Sequence, residues 1–181
     1  MLRARDLMTH RGPDGAGLFR HGNLVFAHRR LSVIDPSPLG AQPMMNAAGD
    51  GVIVYNGELY NDVTLREHMS VDFRSHCDTE TLVELLSGDS ASALARLRGM
   101  YAFGFADLKR RTLLLAHDPL GIKPLYYSQG DGVIRFASEI PSLLALPDVS
   151  TQPDFVGVRA YLSTIRTTIG AHTMYRDIKT L

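Results

Sequence analysis

The chain has 181 residues, 45% of them hydrophobic, and its 19 acidic and 19 basic side chains cancel. A chain of that size closes over one substantial core, and its balanced charge, with no basic run beyond Lys109-Arg110-Arg111, excludes an electrostatic footprint for nucleic acid or an anionic membrane. One cysteine, Cys77, rules out an internal disulfide and a thiolate metal cluster, and no apolar run reaches the ~20 residues that span a bilayer, so a reducing, cytoplasmic setting without a metal site is expected.

In chain order, residues 2–9 show apolar positions near helical spacing over barely two turns. Residues 18–20 and 23–31 read as a hairpin around His21-Gly22, and prolines 36, 38 and 43 make residues 35–43 a loop. Residues 51–55 form a β-branched strand expected to stop at Asn56-Gly57, a pair that tolerates positive φ. Helical spacing returns over residues 63–69, 78–86 and 91–97, with Asp78 and Thr79 as candidate caps of the second. Residues 100–106, 112–116, 125–128 and 133–137 read as an antiparallel meander. Short helices follow over 140–146 and 155–162, and residues 165–181 favour neither state. Strands and helices are segregated, which predicts an α+β layered fold rather than a doubly wound parallel sheet.

Four segments carry groups able to do chemistry. His10-Arg11-Gly12-Pro13-Asp14 is a stiff loop flanked by a cation and a carboxylate; local chemistry favours the plainer reading, a turn in which Arg11 and Asp14 pair with each other. Arg29 and Arg30 fall on opposite faces of a strand end, so one of them turns inward, where a guanidinium suits a carboxylate; the alternative is a surface arginine. Asn56-Gly57-Glu58 offers an amide, an unobstructed N–H and a carboxylate, which would make oxyanion donors beside an ammonium acceptor, or else a plain turn. Asp78 is either a simple cap or a second ammonium partner. Together they suit a zwitterionic amino acid with a side-chain carbonyl, and no segment supplies a group to attack that carbonyl.

The run of motifs His10-Arg11-Gly12-Pro13-Asp14, Arg30-Leu31-Ser32-Val33-Ile34-Asp35, Gln42-Pro43-Met44, Tyr55-Asn56-Gly57-Glu58, Asp78-Thr79-Glu80, Leu97-Arg98-Gly99-Met100 and Leu120-Gly121-Ile122-Lys123-Pro124 resembles the glutamine-binding domain of glutamine-hydrolysing asparagine synthetases and related class II amidotransferases. The resemblance implies an Ntn-hydrolase-type four-layer αββα sandwich over residues 1–146, with residues 147–181 leading toward an ATP-dependent synthetase domain. It implies L-glutamine as ligand: Arg30 on its α-carboxylate, Leu31 and Val33 in backbone contact, Asn56 and Gly57 as oxyanion hole, and Glu58 with Asp78 on the α-ammonium. ATP and Mg2+ are implied only for the synthetase domain, which amidates aspartate or a similar carboxylate. A synthetase domain or a second copy of the chain is the expected partner.

One departure stands out. In this family a cysteine follows the initiator methionine and attacks the amide, with its own α-amine as base; here Leu2 stands in that place, and Cys77, in mid-chain, has no α-amine. The nine residues before His10 are fewer than the ~20 that a strand and a helix occupy. The expectation is therefore a domain without its first strand and nucleophile, inactive as a glutaminase, with a stand-alone glutamine- or partner-binding regulatory module as the alternative.

Overall fold

A computed structural model describes all 181 residues. The chain divides into two compact units, one of residues 1–8 with 124–181 and one of residues 9–123. Every strand pairing is antiparallel, and the chain combines helices and strands mostly in separate runs.

The second unit opens with a hairpin, β1 (Gly15–His21) and β2 (Leu24–Arg30), in register Phe19↔Phe26. Its main sheet has the order β3-β4-β5-β6, with β3 (Met44–Met45), β4 (Gly51–Leu59), β5 (Gly99–Asp107) and β6 (Thr112–His117). Between β4 and β5 the chain forms α2 (Asp62–Glu67), α3 (Asp78–Gly88) and α4 (Ser90–Arg96). The core lies where α3 meets the sheet: Leu82, Val83 and Leu86 are fully buried against Ile53, Tyr55, Phe103 and Phe105. Full burial of each such aliphatic side chain is worth about 1.5–3 kcal/mol, which is why this central helix is buried almost all round instead of carrying one apolar stripe.

The first unit holds α1 (Leu2–Asp6), a sheet of order β8-β7-β9 made of β7 (Tyr126–Gly130), β8 (Val133–Ala137) and β9 (Lys179–Thr180), and helices α5 (Ile140–Leu144) and α6 (Phe155–Thr164). Here α1 packs on α5. Asp154 caps α6 by accepting from Val156 N–H and also receives His172 Nδ1 and Lys179 Nζ. No helix is long and apolar enough to cross a membrane.

Three expectations need correction. The strands over 100–137 are not one meander: β5–β6 and β7–β8 lie in different sheets, because a loop anchored on Asp118 separates them. The strand from Gly51 does not stop at Asn56-Gly57. It runs to Leu59, because β5 continues the pairing through Asn56↔Ala102 to Leu59↔Gly99 and holds both residues in extended geometry. Neither Asp78 nor Thr79 caps α3; Cys77 stands at that position without a side-chain cap, and the Asp78 carboxylate turns away to bonds with β4.

Candidate functional site

The site is built along one edge of β4. In an antiparallel ladder alternate residues turn their N–H and C=O toward opposite neighbours. The even-numbered residues of β4 bond to β5, a pattern extended past both ends by Tyr60 N–H to Arg98 O and Leu108 N–H to Asp50 O, each 2.8 Å. The odd-numbered residues turn to the other edge, which β3 covers only at its beginning, through Met44↔Ile53 and Asn46 N–H to Gly51 O. Beyond β3, side chains take over. Tyr55 N–H donates to Gln42 Oε1 at 2.7 Å, Tyr55 O accepts from His28 Nε2 at 3.2 Å, and Leu59 N–H donates to Asp78 Oδ2 at 2.9 Å. Between these points the Gly57 N–H meets the open edge. The neighbouring Asn56 Nδ2 is buried and has no partner, an orphaned donor of the kind that folded proteins rarely leave.

Arg30, at the end of β2, donates from Nη1 to Ser37 O at 2.8 Å and from Nη2 to Asp35 O. Gly40 makes room for it: a Cβ there would sit 2.1 Å from Arg30 Nη2. Two of the five guanidinium N–H groups are thus spent on fixing the side chain, leaving three for another acceptor. The strand end itself is braced by Asp14, whose Oδ2 accepts from Ser32 N–H at 2.8 Å and whose N–H donates to Arg30 O. Arg29, on the opposite face, donates to Gly12 O at 2.9 Å. The His-Arg-Gly-Pro-Asp loop therefore works as a bracket around the end of β2, with its aspartate on the Ser32 backbone.

At the start of α3, the Asp78 carboxylate is 3% exposed and Oδ2 accepts from both Tyr55 Oη (3.0 Å) and Leu59 N–H (2.9 Å). Burial pushes its pKa up; the bonds from Leu59 and Tyr55 oppose that without cancelling it. Burial and the nearby Asp78 charge likewise push the Tyr55 phenol far up. Cys77 is buried, its Sγ 3.3 Å from Thr79 Oγ1, and burial holds the thiol above its ordinary range. Such a thiol is packed and unreactive. Leu31 and Val33 are exposed in the loop after Arg30, and Glu58 is exposed on β4.

The structure therefore brings Arg30, Asn56, Gly57 and Asp78 to one unit on β2, β4 and α3, with Arg30 close enough for its charge to act on both His28 and Cys77. It also shows residues that sequence reading passed over. Gln42 was noticed only as part of a motif, and His28 only as a neighbour of two arginines; their bonds to Tyr55 cross 13 and 27 residues of chain and leave no local signal.

His28 is neutral for a physical reason. Its Nε2 must donate, because its partner is a carbonyl, so Nδ1 carries the lone pair, and Nδ1 is buried without a partner. Protonation would bury a second N–H without an acceptor, so burial first, and the Arg30 charge as well, lower its pKa from 6.5 to about 4. Because the folded value lies below the unfolded one, the unfolded chain takes up this proton first as pH falls. The contribution is intact above pH 6.5 and is lost between 6.5 and about 4. Urea midpoints at pH 7.5 and 4.5 should show wild type losing roughly 2–3 kcal/mol more than His28→Gln over that window; equal losses would show that His28 is not buried neutral.

The 181 residues match the glutamine amidotransferase domain family along their whole length, residues 1–181. The chain is 36% identical over 163 residues to Asparagine synthetase [glutamine-hydrolyzing] 3 of Bacillus subtilis, covering 87% of this chain and 26% of that protein. It is 37% identical over 146 residues to Asparagine synthetase B [glutamine-hydrolyzing] of Escherichia coli, covering 79% and 26%. With Asparagine synthetase [glutamine-hydrolyzing] 3 of Arabidopsis thaliana the figures are 38% over 138 residues, 75% and 24%. The chain thus spans about a quarter of the length of the curated relatives it matches. On the whole-length match, together with the site on β2, β4 and α3, the chain belongs to the glutamine amidotransferase domain family.

Proposed function

We propose that this chain binds L-glutamine at the open edge of β4 and does so without hydrolysing it. The observation that carries the reading is the buried, partnerless Asn56 Nδ2 next in sequence to the uncovered Gly57 N–H: two neighbouring donors suit a carboxamide oxygen or the oxyanion formed from it. Arg30, fixed by two backbone carbonyls, takes the α-carboxylate with its remaining donors, and Leu31 and Val33 line the approach through their backbone. Asp78 and Glu58 take the α-ammonium. We read the fold as an Ntn-hydrolase-type αββα arrangement, related to domains that supply ammonia from glutamine to a synthetase amidating aspartate or a similar carboxylate, with this chain keeping the binding step alone. In this reading ATP and Mg2+ belong to such a synthetase partner.

Hydrolysis would need a nucleophile, and the only thiol in the 181 residues is the buried Cys77. Isothermal titration should show saturable binding of L-glutamine and none of D-glutamine, with no glutamate released. A thiol reagent such as DTNB should label Cys77 only as the protein unfolds. A folded chain that gives no heat with L-glutamine would defeat the binding reading, and glutamate release blocked by labelling of Cys77 would defeat the inactivity.

A further inference from the structure

The edge of β4 is finished by side chains where a strand would ordinarily finish it. A β3 reaching back to residue 42 would satisfy Tyr55 with its backbone, but a strand prolonged further in that direction would next cover the Gly57 N–H. Gln42 and His28 satisfy the Tyr55 peptide groups individually, at 2.7 Å and 3.2 Å, and the covering stops there. Both are themselves anchored. The Gln42 backbone carbonyl lies against Gly17, where a Cβ would come within 1.8 Å of its oxygen, and the side-chain Nε2 donates to Thr79 Oγ1 at 3.3 Å. His28 sits on β2 two residues before Arg30 and is neutral.

We infer that His28 and Gln42 are positioning residues, a two-side-chain substitute for a strand, that hold the Tyr55 peptide so that Asn56 Nδ2 and Gly57 N–H face the ligand's carbonyl oxygen. The inference rests on the glutamine-binding reading of the same pocket. It explains why the two residues reach back to the elements that carry the charged groups: His28 shares β2 with Arg30, and Gln42 joins Thr79, the neighbour of Asp78 on α3. The strand that carries the oxyanion donors is thereby fixed to the strand and the helix that carry the ammonium and carboxylate partners, with bonds that cost the Gly57 edge nothing.

The test uses the whole chain and two readouts: the dissociation constant for L-glutamine, and NMR of residues 53–57 with hydrogen exchange of their amides. Gln42→Leu is expected to speed exchange of the Tyr55 amide at least tenfold while the Ile53 and Leu82 amides keep their rates, and to weaken glutamine at least tenfold. Gln42→Glu, whose carboxylate still accepts from Tyr55 N–H, should restore both. His28→Leu should weaken glutamine comparably and His28→Gln, which keeps a donor for Tyr55 O, should not. Should a leucine variant fail to fold, Gln42→Asn, one methylene too short, takes its place against Gln42→Glu. Unchanged glutamine affinity in the leucine variants, or equal acceleration of the Ile53 and Leu82 amides, would overturn the inference. If wild type itself binds no glutamine, the pocket reading fails; the inference then stands on displaced Asn56 side-chain and Gly57 amide resonances in Gln42→Leu that return in Gln42→Glu, and falls if they do not move.

Discussion

Glu80→Ala is expected to lower the unfolding free energy by about 3 kcal/mol or more, with the urea midpoint displaced and the slope unchanged. Glu80 is 2% exposed and its two oxygens accept four bonds: Arg74 N–H and Nε on one, Ser75 N–H and Oγ on the other. Alanine would leave the buried Ser75 N–H and hydroxyl without an acceptor, each at a cost of about 1–3 kcal/mol, and would also free the partly buried Arg74 N–H. Arg74 is 57% exposed, so water takes up its guanidinium and the ion pair itself contributes little of the total. Burial pushes the Glu80 carboxyl up, yet the bonds from Ser75 and Arg74 outweigh it and the net shift is downward. The folded value lying below the unfolded one, Glu80 stabilises fully above the ordinary glutamate range and its contribution fades as pH falls through the folded value. The gap between wild type and Glu80→Ala should therefore narrow in acid; a gap that is constant with pH, or a loss under about 1 kcal/mol at pH 7, would remove Glu80 from this role.

Glu80 matters to the pocket because its loop leads directly to Arg30. The segment it fixes, residues 74–76, presents His76 N–H to Asp35 Oδ2 at 3.0 Å, while Asp35 Oδ1 accepts from Ser37 N–H and the Asp35 and Ser37 carbonyls receive the Arg30 guanidinium. The order of support runs from a helix carboxylate, through a loop and a second carboxylate, to the cation proposed to meet the ligand. Asp118 does the same service at the start of β5, accepting from the N–H groups of Tyr101, Leu120, Ile122 and Lys123. In both places a buried carboxylate organises irregular backbone that no neighbouring strand or helix satisfies.

What could be read from the sequence was what repeats locally. The β-branched run from Val52 to Tyr55, the helical spacing of Leu82, Leu85 and Leu86 and the Gly22 reversal of the first hairpin each show in a few consecutive residues. Asn56-Gly57 misled because the pair's turn propensity is a local preference, and pairing with Ala102 and Tyr101, more than 40 residues away, overrode it. Asp78 misled in the same way: an aspartate at a helix start ordinarily caps, but Leu59 N–H and Tyr55 Oη lie within its reach and claim the carboxylate. Alternation set Arg29 and Arg30 on opposite faces without choosing between them; the resemblance singled out Arg30, and the bonds of its guanidinium to the Asp35 and Ser37 carbonyls left no local signal. Gln42 and His28 were not legible, since nothing about an amide before a proline or a histidine in a strand announces a bond to Tyr55.

Asp78→Asn separates the fold from the ligand more cleanly than any other single change. The bonds that the carboxylate accepts from Tyr55 Oη and Leu59 N–H both fall on Oδ2, the Thr79 backbone N–H also bonds to the carboxylate, and the Cys77 thiol lies 3.8 Å from Oδ1. An asparagine carbonyl can accept the bonds from Tyr55 and Leu59, and its NH2 can face the sulfur. Because burial raises the Asp78 pKa, the sign of its linkage is opposite to that of Glu80: its stabilising form is the protonated one, present below the ordinary aspartate range and lost as pH rises through the folded value. At pH 7 the buried charge is a burden on the fold that asparagine relieves, so the thermal midpoint of Asp78→Asn should equal or exceed that of wild type. The same substitution removes the charge proposed to meet the α-ammonium, and L-glutamine should bind at least about 30-fold more weakly, a loss of about 2 kcal/mol. Unaltered glutamine affinity would show that the ammonium lies elsewhere, whereas a lower midpoint at neutral pH would show that the charge serves the fold and would return Asp78 to a structural role.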